Sequence, residues 1–177
     1  MRNKVVIDTN VILTANGQHN DVLPSCVASC SKSLLEAMKS SIVVIDDDYE
    51  ILKEYQKKTS PWTGNAAGDV FLKWLLNNSA NRKHCKKVRL THGIQENTYN
   101  EFPDQALQDD FDPPDRKFVA TSGADGCKPE ILQAVDCKWL NWNTRLKAAG
   151  IDVKYICPDD ICRFYANKYP GQPMPDF

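Results

Sequence analysis

"KVVIDTN", residues 4–10, runs through three apolar residues, Val5, Val6 and Ile7, and then stops on Asp8, Thr9 and Asn10. A short, wholly apolar, β-branched run is the pattern of a strand covered on both faces, as in parallel sheets. The same design recurs in "SIVVID" (residues 41–46) and "EILQAVD" (residues 130–136), each ending in an acid, and "IDVKYIC" (residues 151–157) supplies a fourth strand. "VRLTH" (residues 88–92) reads as a minor strand.

Helical patterns lie between the strands. In residues 27–40 Val27, Cys30, Leu34, Leu35 and Met38 form one apolar stripe. "DDYEILKEYQKK" (residues 47–58) has acids at its start and lysines at its end, matched to the helix dipole. Residues 68–78, 115–123, 141–150 and 158–169 also read as helices, the last opening with Pro158 and two acids. Strands alternating with helices predict an α/β fold with a mainly parallel sheet.

The chain of 177 residues is expected to form one domain, with an irregular insertion around residues 79–114 and a short tail at residues 168–177. A charged fraction of 25% beside 42% hydrophobic residues excludes a disordered or fibrous chain. No apolar run reaches the length of a bilayer span, and "MRNK" leads straight into a strand, so no membrane association and a cytoplasmic address are expected. Seven cysteines are then expected as reduced thiols, mostly acting as small buried hydrophobes. A net charge of -1 gives no general attraction for nucleic acid. A polyanion must be held locally, and the basic run of residues 81–92, with Arg82, Lys83, Lys86, Lys87 and Arg89, is either a solvated loop or a phosphate contact.

In an open parallel sheet the carboxyl ends of the strands face the binding crevice. Asp8, the acids at positions 46–48, Glu50, Glu54 and Asp136 follow strands, and Asp115 opens the helix before the third strand. Carboxylates gathered at close range repel one another and persist only where protons or cations neutralise them. Hard oxygen donors select Mg²⁺ or Mn²⁺, one ion or two. Asp8 is therefore a candidate metal ligand, with helix N-cap as the alternative. The three histidines lie in weakly patterned stretches and read as incidental.

"VVIDTNVIL", "IVVIDDDYEILKEY", "DRKFVATS", and "ILQAVD" followed by "GIDVKYICPDDI" resemble, in order, the motifs of PIN domains, a metal-dependent ribonuclease family that includes many toxins of bacterial toxin–antitoxin pairs. The resemblance extends from Val5 to about Tyr165. It implies a three-layer α/β/α sandwich around a parallel sheet of about five strands. It also implies metal-assisted hydrolysis of single-stranded RNA, with Asp8, Glu54, Asp115 and Asp136 as catalytic metal-binding acids and Glu50 as the alternative to Glu54. Thr9, Asn10 and Ser122 would orient them. Where many relatives carry a further acid, this chain has Lys138, which argues against a complete second ion site.

Lys138, Trp139, Trp142 and the basic residues Arg82, Lys83, Lys86 and Lys87 are the candidate RNA contacts. An antitoxin or other protein partner and a homodimer follow from the resemblance too. The competing readings are a PIN-like module that binds RNA or protein without cutting, and a DNA nuclease of the flap-endonuclease type.

Overall fold

The structure is a computed structural model and describes residues 2–177. "KVVIDTN" lies at its centre. Strand β1 (Asn3–Ile7) is flanked by β2 (Ser41–Asp46) and β4 (Glu130–Gln133), with β3 (Cys85–Val88) and β5 (Val153–Tyr155) at the edges, and the five strands are ordered β3-β2-β1-β4-β5 with every pairing parallel. Val5 faces Val43 on one side and Glu130 on the other. Val6, Ile7, Val43, Ile45 and Ile131 have no accessible surface, which is why these strands are apolar throughout rather than alternating.

Helices cover both faces, making a three-layer α/β/α sandwich. Helices α1 (Thr9–Ala15), α2 (Pro24–Ser40) and α4 (Ala67–Asn78) pack together, while α6 (Arg116–Ala124) crosses β1, β2 and β4 and meets α3 (Glu50–Lys58). Gly68 lets α4 approach α1: a Cβ there would stand 2.5 Å from the Ile12 carbonyl oxygen.

Residues 79–114 are more regular than expected. Strand β3 (Cys85–Val88) falls inside the basic run, three residues before the expected position. Cys85 and Val88 are buried and the backbone pairs with β2, while Lys86 and Lys87 are carried on the sheet edge, where lysines discourage pairing with another chain. Helix α5 (Gln105–Asp110) forms in the acidic stretch because Asp104 caps it, accepting from the Leu107 N–H at 2.9 Å. Arg145 of α7 (Asn143–Ala148) pairs with Asp104 and Asp110, and Leu107 and Phe111 are buried beneath. Strand β4 ends at Gln133, so residues 134–136 leave the sheet and Asp136 heads a 3-10 turn, Cys137–Trp142.

The expectation of wholly reduced thiols fails. Cys26, in the first turn of α2, is disulfide-bonded to Cys157, which lies between β5 (Val153–Tyr155) and α8 (Pro158–Lys168). The partners are 131 residues apart in sequence, so only packing brings their Cα atoms to 5.2 Å. Cys30, Cys85 and Cys137 are free and buried, as small hydrophobes. No helix is long and apolar enough to cross a membrane.

Candidate functional site

The chain runs outward from β1 to β2 and β3, then returns to the other side of β1 as β4. The carboxyl ends of β1 and β4 therefore flank the point where strand order reverses, the place where open parallel sheets bind their ligands. Asp8 lies at the first end and Asp136 beyond the second. The two are tied together: the Asp8 N–H donates to the Leu132 carbonyl at 3.0 Å, and the Val135 N–H donates to Asn10 Oδ1 at 2.8 Å. Asn10 thus positions the Asp136 loop, a stronger role than capping alone.

Asp8 is both the N-cap of α1 and a member of the acid group. Its Oδ1 accepts from the Asn10 N–H at 2.7 Å, satisfying one of the orphan donors of the helix. Burial first, then the charge of Asp115, pushes its pKa well above the usual carboxylate range, with Asp136 and Glu54 adding to the effect. The two readings of Asp8 are therefore compatible.

The turn Pro113–Asp115 carries Asp115 to the start of α6. Trp139 Nε1–H donates to Asp115 Oδ2 at 3.1 Å, and Asp136 Oδ1 accepts from the Lys138 N–H at 3.1 Å. Asp112, Asp115 and Asp136 each bring a carboxylate oxygen within 4.8 Å of the others. Burial, followed by the Asp136 charge, raises the Asp115 pKa to about 6, and burial raises that of Asp136. Asp112 escaped the sequence reading although "DFDPP" contains it; Pro113 and Pro114 turn the chain so that it meets an acid three residues on.

Glu54 and Glu50, one helical turn apart, are separated by the fold. Glu54 faces Asp8 and Asp115, with Lys117 Nζ 2.5 Å from its Oε2 and Lys58 Nζ 3.0 Å from its Oε1. Burial opposes its ionisation, but Lys117, Thr9 and Lys58 together lower its pKa. Glu50 instead accepts from Tyr99 Oη–H at 2.6 Å and meets His92 at 3.0 Å. Tyr55, buried next to Glu54 in the chain, donates to the Ile7 carbonyl and so locks α3 onto the end of β1. Lys117, two residues beyond Asp115, was also unforeseen, because only α6 packing buries it against Glu54.

Several expected contacts lie elsewhere. Ser122, seven residues and so about two helical turns beyond Asp115, donates to the Pro129 carbonyl at 2.7 Å and does not reach the acids. Trp139 has no exposed surface, so it offers no face for a base; its function here is to hold Asp115. Trp142 is half-buried and packs against Phe111 with the rings tilted and their centroids 4.3 Å apart. Lys86 is spent on Asp125 at 2.6 Å, together with Lys4, and Arg2 bonds the Lys83 carbonyl; this part of the basic run lies near the amino end of β1. Arg82 lines the cleft beside Lys86 and is likewise removed from the acids. Lys87 leans on Tyr49, after β2. Lys138 pairs with Asp112.

The group fits a hard cation. Five carboxylates face three ammonium groups, Lys58 and Lys117 at Glu54 and Lys138 at Asp112, and the Thr9 hydroxyl is buried beside Glu54. A partly buried cluster with more carboxylates than ammonium groups favours further positive charge. A cleft of about 560 Å³ at the amino ends of β1 and β4, lined by Arg2, Lys4, Glu36 and Lys154, offers no comparable convergence. Comparison with protein-family models, with curated proteins and with solved structures finds no match to this chain.

Proposed function

We propose that this protein is a Mg²⁺- or Mn²⁺-dependent endoribonuclease that hydrolyses phosphodiester bonds in single-stranded RNA. The observation that carries the reading is the meeting of Asp112, Asp115 and Asp136 beside Asp8 and Glu54 at the strand-order reversal, where burial and then neighbouring carboxylates raise the pKa of both Asp8 and Asp115. The choice of RNA, and of a cytoplasmic toxin or defence role with an antitoxin or a second copy as partner, rests on the resemblance of the ordered motifs to PIN domains.

Asp112, Asp115 and Asp136 would hold the ion, and Asp8 would complete the negative field from the end of β1. A divalent cation bound there lowers the pKa of water and offsets charge developing on the phosphoryl oxygens. Trp139 keeps Asp115 Oδ2 fixed, leaving its other oxygen free to turn toward the ion. Lys138, one third exposed, can leave Asp112 and meet a phosphate. Asn10 holds the loop carrying Asp136 in register with Asp8.

The test is cleavage of end-labelled single-stranded RNA with Mn²⁺, beside Asp8→Asn and an EDTA control. The proposal expects cleavage by the parent protein alone. Equal cleavage by Asp8→Asn, or none by either, refutes it. One observation favours a second reading, a module that binds RNA or protein without cutting: Lys117 and Lys138 already neutralise Glu54 and Asp112. RNA retention without cleavage at saturating Mn²⁺ is its signature.

A further inference from the structure

The five carboxylates are not equivalent. Among the described residues, Asp8, Asp112, Asp115 and Asp136 each have one oxygen engaged, by the Asn10 N–H, Lys138, the Trp139 indole and the Lys138 N–H respectively, and one oxygen with no protein partner. Glu54 has none to spare. Its Oε2 is taken by Lys117 and its Oε1 by Lys58.

The two lysines differ in permanence. Lys58 is half exposed and one helical turn away, an arrangement that solvent weakens. The Lys117 side chain is only 9% exposed, and its ammonium group also donates to the Pro114 carbonyl, in the turn that carries Asp115. Pulling this ammonium away would leave the largely buried Glu54 carboxylate with only the solvent-weakened Lys58 as a partner, which is destabilising. Bringing a divalent ion to Glu54 with Lys117 in place would set two cations against each other.

We propose that Lys117 is a tethered substitute for a second divalent cation: it occupies the Glu54 side of the acidic site, so that the protein binds one ion, on the Asp112, Asp115 and Asp136 side. Lys117 is a positioning residue on this view. It withdraws Glu54 from coordination and, through Pro114, ties that glutamate to the turn that sets Asp115. The inference rests on the metal-site reading above and assigns Glu54 a role different from the ligand role that the resemblance implies.

Ion count decides it, by Mn²⁺ titration calorimetry checked by electron paramagnetic resonance, with no RNA present. The parent protein is expected to bind one Mn²⁺. Lys117→Met, which keeps an unbranched side chain one atom shorter and removes its charge, is expected to bind two, and Lys117→Arg one. Glu54→Gln guards against Lys117→Met failing to fold: it is expected to bind one ion with affinity within about threefold of the parent, because Glu54 is not a ligand. Two ions on the parent protein, one ion on a folded Lys117→Met, or a loss of affinity of tenfold or more in Glu54→Gln overturns the Lys117 proposal and leaves the metal site standing. No Mn²⁺ uptake by the parent protein overturns both.

Discussion

Replacing Asp115 by asparagine should make the ion-free protein more stable while weakening its hold on Mn²⁺. In the fold the carboxyl of Asp115 titrates at about 6 instead of the usual 3.8, because burial and the Asp136 charge disfavour the anion. Well below the usual value both folded and unfolded chains carry the proton, and no penalty exists. As pH rises through that range the unfolded chain loses its proton first, stability falls, and the loss is complete once the folded group has also ionised. A gap of about two pH units is worth up to ~3 kcal/mol, an upper bound because Asp8 and Asp136 can retain protons in its place. Asparagine carries no charge and still accepts from the Trp139 indole.

The assay is urea unfolding of both proteins in EDTA at a series of pH values. Asp115→Asn is expected to be more stable by about 1–3 kcal/mol near pH 7, equivalent to a few degrees or more in Tm for a domain of this size, and equal to the parent near pH 3. Saturating Mn²⁺ should reverse the order near pH 7, since an ion at ~100 times its Kd adds ~2.7 kcal/mol to whichever protein binds it. A mutant that is less stable than the parent near pH 7 in EDTA, or a difference that does not shrink with acid, would show that no electrostatic penalty is stored at Asp115.

Three further outcomes follow from particular contacts. Burial alone would raise the Asp125 pKa, but Lys86 and then Lys4 lower it to about 2, so the stability it contributes is present above the usual 3.8 and lost as pH falls through the lower value. Asp125→Asn should cost about 1–2 kcal/mol near pH 7, after discounting for the exposure of both lysines, and almost nothing near pH 2, by urea unfolding. Reducing Cys26–Cys157 opens a loop whose 131-residue separation corresponds to at most ~5 kcal/mol of chain entropy, so dithiothreitol should lower Tm by several degrees; an unchanged Tm would contradict a closed disulfide. Trp139→Phe keeps the edge-on packing against Phe111 but loses the donor to Asp115. About 1 kcal/mol, or roughly fivefold, should disappear from Mn²⁺ affinity with near-native circular dichroism, and an unchanged affinity would remove the indole from the site.

The fold class was legible because period and polarity are local properties. Val5–Ile7, Ile42–Ile45 and Ile131–Leu132 are apolar without alternation, which only strands covered on both faces require, and Asp8 and Asp46 mark where those strands give way to helices whose N–H groups donate to them. Strand β3 was misplaced for the converse reason: an edge strand of four residues with two lysines carries little hydrophobic signal, and its pairing with β2 supplies what its composition lacks. The same holds for α5, whose stability comes from Asp104, Arg145 and a buried Leu107 rather than from propensity.

For the site, the sequence by itself determined that strands would deliver carboxylates to one edge of a parallel sheet, since strand direction and the polar terminus of each run are written in consecutive residues. Tertiary structure alone decided which acids meet. It sent Glu54 to Asp8 and Glu50 to Tyr99, although both lie on one helix face, and it brought Asp112, Lys117 and the Trp139 indole into the group. It also joined Cys26 to Cys157. Electrostatic energy falls with distance through space, whereas a sequence records only distance along the chain, so neither the charge balance of the crevice nor its buried lysine can be read before the helices are packed.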